Sequence, residues 1–445
     1  MRQLGTATLL LCLFTSGVLS GQSRTARARD ELGAKLFRET ELNNPGSDFP
    51  QSCNGCHFFG EDPRGAGHRF YSDTLERSLL PGMSSAAPKT TLRNTPTLLD
   101  TNLMERFNHD GRYTSIEDLL RDKLSSSSYG WGPDDRERAY DTIHQTLIAA
   151  MLVDYGELFE RAYHVDLDTV TRDEAVTWAV TALADYLDTI TSEQTSTWDA
   201  FSDMNRIPPG PSSGEDPKHY AGRIQGRIGN QEGRVLIKRP LGFSSEAYEG
   251  FKTFFRVEGD RSVGNCVSCH MPPRFSDFLF HNTGIAQVDY DQANGDGAFA
   301  DLEIPGPDAV RPQERFLADP RSGEGRADLG YWNFLDLDAT GEPEGASEAE
   351  RLEASIGAFK TPVLRNLKQT GPYMHNGIYE TIEDTVREIV RINRLARAGK
   401  MRAIDPDYVL MNLGDEDVIP LTRFLESFDE VDVDQFRELL INLEE

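Results

Sequence analysis

The sequence is poor in the features that would place it in several common classes. Of its five cysteines, four fall into two Cys-x-x-Cys pairs and the fifth, Cys12, lies in an apolar stretch near the amino terminus, so no pair remains for a disulfide framework. Past that stretch, no apolar run approaches the roughly 20 residues a membrane span needs. Positive charge is scarce: 46 Lys and Arg face 73 Asp and Glu, for a formal net charge of −27. That balance argues against nucleic acid or an anionic membrane as partner and leaves a basic protein partner or plain solubility. Alternating strand patterns and βαβ units are also missing, so helix periodicity and capping signals carry the reading of the fold.

What is present is organised around Cys53-Asn-Gly-Cys56-His57 and Cys266-Val-Ser-Cys269-His270. In each, two thiols one turn apart can add across the two vinyl groups of a haem, and the adjacent histidine can reach the iron. A zinc knuckle would need the pairs to converge on one tetrahedral site and gives no role to a histidine directly after both. A dithiol redox pair belongs near a βαβ pattern, which neither copy has. The spacing predicts two covalently bound c-type haems.

Residues 1–21, with Arg2, the run Leu9-Leu-Leu-Cys-Leu-Phe14 and small residues near Gly21, read as a secretory signal that takes Cys12 with it and leaves no membrane span after cleavage. Export suits the haems, whose thioether attachment takes place outside the bacterial cytoplasm. A basic, flexible leader follows at 23–29. Leu32, Leu36 and Phe37 then mark one face of a short helix, and 60–89 reads as loop. Ser115 with Asp118 caps a helix ahead of Leu119, Leu120 and Leu124. Further helices are predicted at 139–153, at 172–190 behind the capping box Thr171-Arg-Asp-Glu174, around 246–255, from Thr381 through Ile392, and at 415–428.

The Pro- and Gly-rich stretch 204–218 marks the boundary between a domain at 22–205 and one at 206–445. Each haem motif follows its helix by ten to fifteen residues, as in a degenerate repeat. The acidic segment 289–351 reads as a surface excursion. Asp289 to Asp296 loosely suggests a calcium loop, but its spacing departs from the EF-hand form, so a plain solvated loop is expected. In the tail, Phe436, Leu439, Leu440 and Leu443 form a stripe that should dock on the body.

Arg93-Asn-Thr-Pro-Thr97, Asn108-His-Asp-Gly-Arg112, Phe280-His-Asn-Thr-Gly284, Lys360-Thr-Pro-Val-Leu-Arg-Asn366 and Gly371-Pro-Tyr-Met-His-Asn-Gly377, together with the haem motifs, resemble the bacterial di-haem cytochrome c peroxidases and relatives such as MauG, the enzyme that matures methylamine dehydrogenase. The resemblance implies a mainly α fold of two cytochrome c-like haem domains with long irregular loops. It makes the haem on Cys53, Cys56 and His57 the peroxide-reacting centre and the haem on Cys266, Cys269 and His270 an electron store or relay. It further implies a calcium ion between them on Asn94 and the carbonyls of Thr370 and Pro372, an oxygen set that suits calcium. The electron donor would be a small periplasmic cytochrome c or cupredoxin. A partner protein would be the substrate in the MauG-like case, and homodimers are common in the family.

The sequence departs from the family at three places. The position of the second haem's distal Met or Tyr falls on Ile389, which cannot ligate iron, leaving a five-coordinate haem or a residue such as Met401, Tyr408 or Met411. His109 replaces the tryptophan that relays electrons between the haems; a buried, hydrogen-bonded histidine is expected there. The peroxide-side glutamate falls in a stretch at 125–133 that holds no carboxylate, which leaves Tyr129, His144, Asp134 and His68 as candidates for acid/base work. His68 is also weighed as a distal ligand of the first haem, and His281 as support for the second haem's edge. The expected function is an exported, periplasmic peroxidase-type oxidoreductase that reduces hydrogen peroxide. A MauG-like oxidase of a partner protein, a di-haem electron carrier without an open site, and an oxygenase are the alternatives.

Overall fold

The computed structural model describes residues 24–47, 52–60, 70–72, 79–80, 89–149, 153–232, 237–337 and 346–442. The expected signal sequence, Cys12, His68 and Leu443 lie outside them. About half of the chain is helical, and strands are confined to three two-stranded ribbons among the described residues.

Helix α1 (Arg24–Arg38) begins inside the stretch expected to be a flexible leader. Its apolar face of Ala28, Leu32, Leu36 and Phe37 is buried, and that burial recruits the basic residues ahead of it into the same helix. The first haem motif follows on the single turn α2 (Cys53–Cys56). Then come α3 (Ile116–Leu124), α4 (Arg136–Ile148), α5 (Tyr155–Tyr163) and α6 (Arg172–Leu187), which with α1 enclose one hydrophobic core. The caps are those expected: Ser115 accepts from the Asp118 N–H, and Thr171 and Glu174 form a reciprocal box. Helix α1 crosses α6 at Gly33, where a Cβ would lie 2.8 Å from the Ala182 carbonyl and closer still to Tyr186. No side chain fits there.

The second core draws on α7 (Thr197–Met204), α8 (Pro217–Glu232) and α9 (Ser245–Phe254). Helix α7 lies ahead of the expected boundary at 205, yet Trp198 and Phe201 are buried in this second core. Asp199 is ion-paired at 2.6 Å to the fully buried Arg365. The change of core therefore falls between Ile190 and Trp198.

The described residues of 289–351 are not a solvated excursion. Helices α10 (Ile285–Asn294), α11 (Gln313–Phe316) and α12 (Glu348–Ala354) surround a third core containing Phe299, Phe316, Leu329 and Trp332. Asp289 sits on α10, buried and 2.6 Å from the Arg321 guanidinium, so the sketch of a calcium loop does not form. The apolar residues here recur with no helix or strand period, and only their joint burial reveals them.

The chain then returns to the second core with α13 (Ile382–Arg397), α14 (Pro406–Leu410) and α15 (Val418–Glu426). Helix α9 crosses α15 at Gly250, whose Cβ would lie 2.8 Å from Phe424 Cβ and would collide with the Pro420 carbonyl. The crossing repeats that at Gly33. The tail helix α16 (Val433–Ile441) packs on α7 with Phe436 and Leu439 half-buried, while Leu440 stays exposed.

Candidate functional site

The second motif is held from both sides. Asn265, with φ 48°, accepts from the Ser268 hydroxyl at 2.9 Å and donates to the Asp407 carboxylate at 3.1 Å. The His270 N–H bonds the Cys266 carbonyl at 2.8 Å. His270 Nδ1 lies 2.8 Å from the Phe275 carbonyl. A carbonyl only accepts, so Nδ1 carries the hydrogen and the Nε2 lone pair is left for a metal. Burial pushes the imidazole down, against the pull of that carbonyl, toward the neutral form that ligates iron.

Burial likewise pushes the Cys53 thiol up to about 11 and the Cys266 thiol up to about 12, opposite to the lowered thiol of a dithiol redox pair. Cys53 packs on the first core and Cys266 on the second, so the pairs do not converge as a zinc site would require. Two buried thiols and a neutral imidazole with a free Nε2 fit a haem.

Beside Cys269, His281 Nδ1 lies 2.6 Å from Asp405 and Nε2 lies 2.9 Å from Asp277. Burial opposes protonation of this ring, but the two carboxylates and the neighbouring Cys269 outweigh it and lift the imidazole to about 12. Cys269, Asp277 and His281 bring their donor atoms within 4.8 Å of one another. An imidazolium with both N–H groups engaged has no lone pair, so this grouping is an ionic clamp at the motif's edge rather than a metal site.

Ile389 is half-buried on α13 against the second core. Of the three downstream candidates for its place, Met401 lays its methyl over Gly284 and Met411 is buried in the core. Tyr408 is half-buried one residue from the Asp407 that Asn265 grips. Its hydroxyl, raised by burial and then by the Cys269 and Cys266 thiols, makes no hydrogen bond among the described residues.

At the first motif, the His57 N–H bonds the Cys53 carbonyl at 2.8 Å, and the His57 ring lies 6.5 Å from that of Phe37. Tyr129, buried on a short turn after α3, places its hydroxyl 3.1 Å from Cys53 Sγ. Burial keeps that hydroxyl protonated. The structure thus brings Tyr129 to the motif. His144 is half-buried on α4 and makes no hydrogen bond or ion pair among the described residues. Asp134 is exposed. A cation absent from the sequence-based candidates lies near this motif, Lys123, half-buried at the end of α3 and in the field of Cys56; Arg112, paired with Asp110 and with its Nε buried without a partner, lies in the field of Lys123.

Several of the motifs that carry the family resemblance meet between the halves. Arg93 pairs with Asp110 at 2.5 Å and with Asp328 of the third core at 2.7 Å. Beside it His109 is half-buried, with Nε2 3.1 Å from the Asn94 carbonyl. Desolvation, then Arg93, push this imidazole down to about 4, so it is a neutral ring donating from Nε2, hydrogen-bonded as expected but only half-buried. Lys360 is buried, donates to the Arg106 carbonyl, and takes the His109 carbonyl on its backbone N–H at 2.8 Å. Burial pushes its amine down to about 7. Of the expected calcium ligands, Asn94 and Pro372 are in contact: Asn94 Nδ2 donates to the Pro372 carbonyl at 2.6 Å. Thr370 closes the turn two residues earlier. Reversing the Asn94 amide would turn its oxygen to that carbonyl and call for a cation between them.

Comparison with known proteins agrees with the motifs. Residues 27–206 match the family model of the di-haem cytochrome c peroxidases. Cytochrome-c peroxidase IdrP2 of Denitromonas iodatirespirans is 23% identical over 80% of this chain and 71% of its own. IdrP2 of Pseudomonas sp. (strain SCT) is 29% identical over 32% of this chain, a match spanning only 31% of that relative. Methylamine utilization protein MauG of Methylorubrum extorquens is 24% identical over 81% of this chain and 68% of its own. A solved structure of a MauG-like protein associated with microbial copper homeostasis superposes with a TM-score of 0.51 at 17% identity, covering 91% of this chain and 89% of that one, which establishes a shared fold.

Proposed function

We propose that this relative of the di-haem cytochrome c peroxidases and MauG is an exported, periplasmic di-haem c-type oxidoreductase. Residues 1–21 serve as its signal sequence. The first domain carries one haem on Cys53, Cys56 and His57, and the second carries the other on Cys266, Cys269 and His270. The observation that carries this reading is the duplication: each motif follows a helix that crosses a later one at a glycine, Gly33 on α6 and Gly250 on α15. When bound, the haems supply the redox chemistry, two-electron reduction of hydrogen peroxide at the first and storage or relay of electrons at the second.

The chain's own residues orient and insulate. The Phe275 carbonyl fixes the tautomer of His270. Tyr129 keeps a protonated hydroxyl at the first motif. Neutral His109, tied to Asn94, stands between the halves without adding a charge there. Asn94, Thr370 and Pro372 would hold calcium through oxygen, with waters completing its shell. Of Met401, Tyr408 and Met411, Tyr408 would be the residue placed to hold the second iron, since its hydroxyl makes no hydrogen bond among the described residues. The net charge of −27 suits a basic cytochrome c or a cupredoxin as donor.

A MauG-like role, oxidising residues of a partner protein, is the second reading. It is favoured by the tyrosine at the first motif where a carboxylate acid/base is expected. The two separate on the purified holo-protein. Steady peroxide-dependent oxidation of reduced cytochrome c supports the peroxidase. Slow donor turnover with a long-lived oxidised species after one equivalent of peroxide supports the MauG-like role. Two low-spin EPR signals that ignore peroxide in both the oxidised and half-reduced protein would sink both and leave an electron carrier.

A further inference from the structure

We propose that Lys123 is a catalytic proton donor at the first haem, acting with Tyr129 on bound peroxide; this rests on that haem being the peroxide-reacting centre. The sequence pattern of α3 is the first support. Ile116, Leu119, Leu120 and Leu124 occupy i, i+3, i+4 and i+8 of the stripe that faces the first core, and Lys123 stands at i+7, where a fifth apolar residue belongs.

The flanking residues of α3 are engaged: Arg121 reaches Thr177 at 3.3 Å, and Asp122 accepts from the Tyr113 hydroxyl at 2.5 Å. The Lys123 amine makes no hydrogen bond or ion pair among the described residues. The side chain is half-buried and its amine is not sealed from solvent, so it is open to a small ligand. The short turn packed against the end of α3 carries Tyr129, whose hydroxyl touches Cys53, so the amine and the phenol flank one motif.

The site suits a small, lone-pair-rich ligand. Haem carboxylates lie at the edge opposite the vinyl groups that cysteines take, whereas Lys123 lies in the field of Cys56, on the thiol side. Burial, then Arg112, lower its pKa, which makes the ammonium a better acid at neutral pH. In the step proposed, the O–O bond of hydrogen peroxide breaks with two electrons delivered by a reduced donor protein through the haems. One oxygen leaves as water with a proton from the Lys123 ammonium. A solvent proton completes the second water, and another restores the lysine.

The test uses the full-length holo-protein with Lys123→Met, which restores the apolar stripe, and Lys123→Arg. Fluoride affinity of the ferric protein reads donors over the iron without turnover. Loss of one charge-assisted hydrogen bond should weaken fluoride about tenfold in Lys123→Met, with partial recovery in the arginine variant. The peroxide rate should fall about a hundredfold, with haem content unchanged. Unchanged fluoride affinity and peroxide rate would overturn the proposal, as would a low-spin wild-type iron that turns high-spin in Lys123→Met, which would make the lysine a ligand. If fluoride binding depends on Lys123 but wild-type protein ignores peroxide, the peroxidase reading fails while the placement of the amine stands.

Discussion

In the first half, Gly33 lets α1 lie on α6 next to a motif flanked by Tyr129 and Lys123. In the second, Gly250 lets α9 lie on α15 next to a motif backed by Trp198, Phe251, Phe254, Phe255, Phe275 and Phe424. The aromatic wall is self-complementary, with Phe275 stacked on Phe428 at 3.9 Å and Trp198 edge-on to Phe424 at 5.3 Å. Such packing fixes a dry, rigid surround and offers few protons. The polar wall carries a phenol and an amine in place of those rings. The same helix crossing thus supports two different surrounds, one polar and one aromatic, and on the proposed function that difference would separate a site that handles protons from one that passes electrons.

The largest effect should come from the network that joins the halves. Arg93→Met leaves buried Asp328 without its ion-pair partner and Asp110 with Arg112 alone, and should cost about 3–5 kcal/mol in chemical denaturation. A loss under 1 kcal/mol would mean that the halves are held by apolar contacts alone. Next come the crossings: Gly33→Ala and Gly250→Ala should each cost about 1–3 kcal/mol by overpacking. A silent change at either one, read by thermal unfolding, would break the equivalence of the two crossings.

A pH series sharpens the contrast within the second half. His281, lifted from 6.5 to about 12, contributes stability that is fully present below about pH 6.5 and lost progressively as pH rises toward 12. Lys360, lowered from 10.5 to about 7, works the other way, since the unfolded chain binds the extra proton between those values and stability rises with pH there. The melting temperature of His281→Gln should therefore fall less than wild type between pH 7 and 10, and that of Lys360→Met should fall more. The smallest change in stability, under about 1 kcal/mol, is expected for Tyr408→Phe, because its hydroxyl has no hydrogen bond to lose. Its readout is spectroscopic: the second haem's low-spin signal should change, and an unaltered spectrum removes Tyr408 from the sixth position.

Local signals were legible in the sequence. The haem motifs, the caps at Ser115, Thr171 and Thr381, and the stripe of α1 each follow from residues a few positions apart, where helix geometry fixes which side chains meet. The third core was not legible, because Phe299, Phe316 and Trp332 share no period and sit among acidic, Gly- and Pro-rich residues that mimic a solvated loop. The early change of core at α7 was hidden by the Pro-rich stretch that follows it, since composition marks a flexible link and not the side on which the preceding helix packs. At the first motif, a lysine inside the apolar stripe of α3 was the available signal for the polar wall, and it is visible only once the periodicity is scored for the residue that breaks it.

The pairing of Arg93 with Asp328 spans 235 positions of chain, which bears on the order of events as the protein is made. A strand threaded outward from its amino terminus exposes the first haem motif, Arg93 and Asp110 long before Asp328 emerges. Until then the guanidiniums of Arg93 and Arg112 share one carboxylate, and the first half carries an unbalanced interior charge. That charge is balanced only once the acidic segment has arrived, so the junction between the halves is among the last parts that can settle.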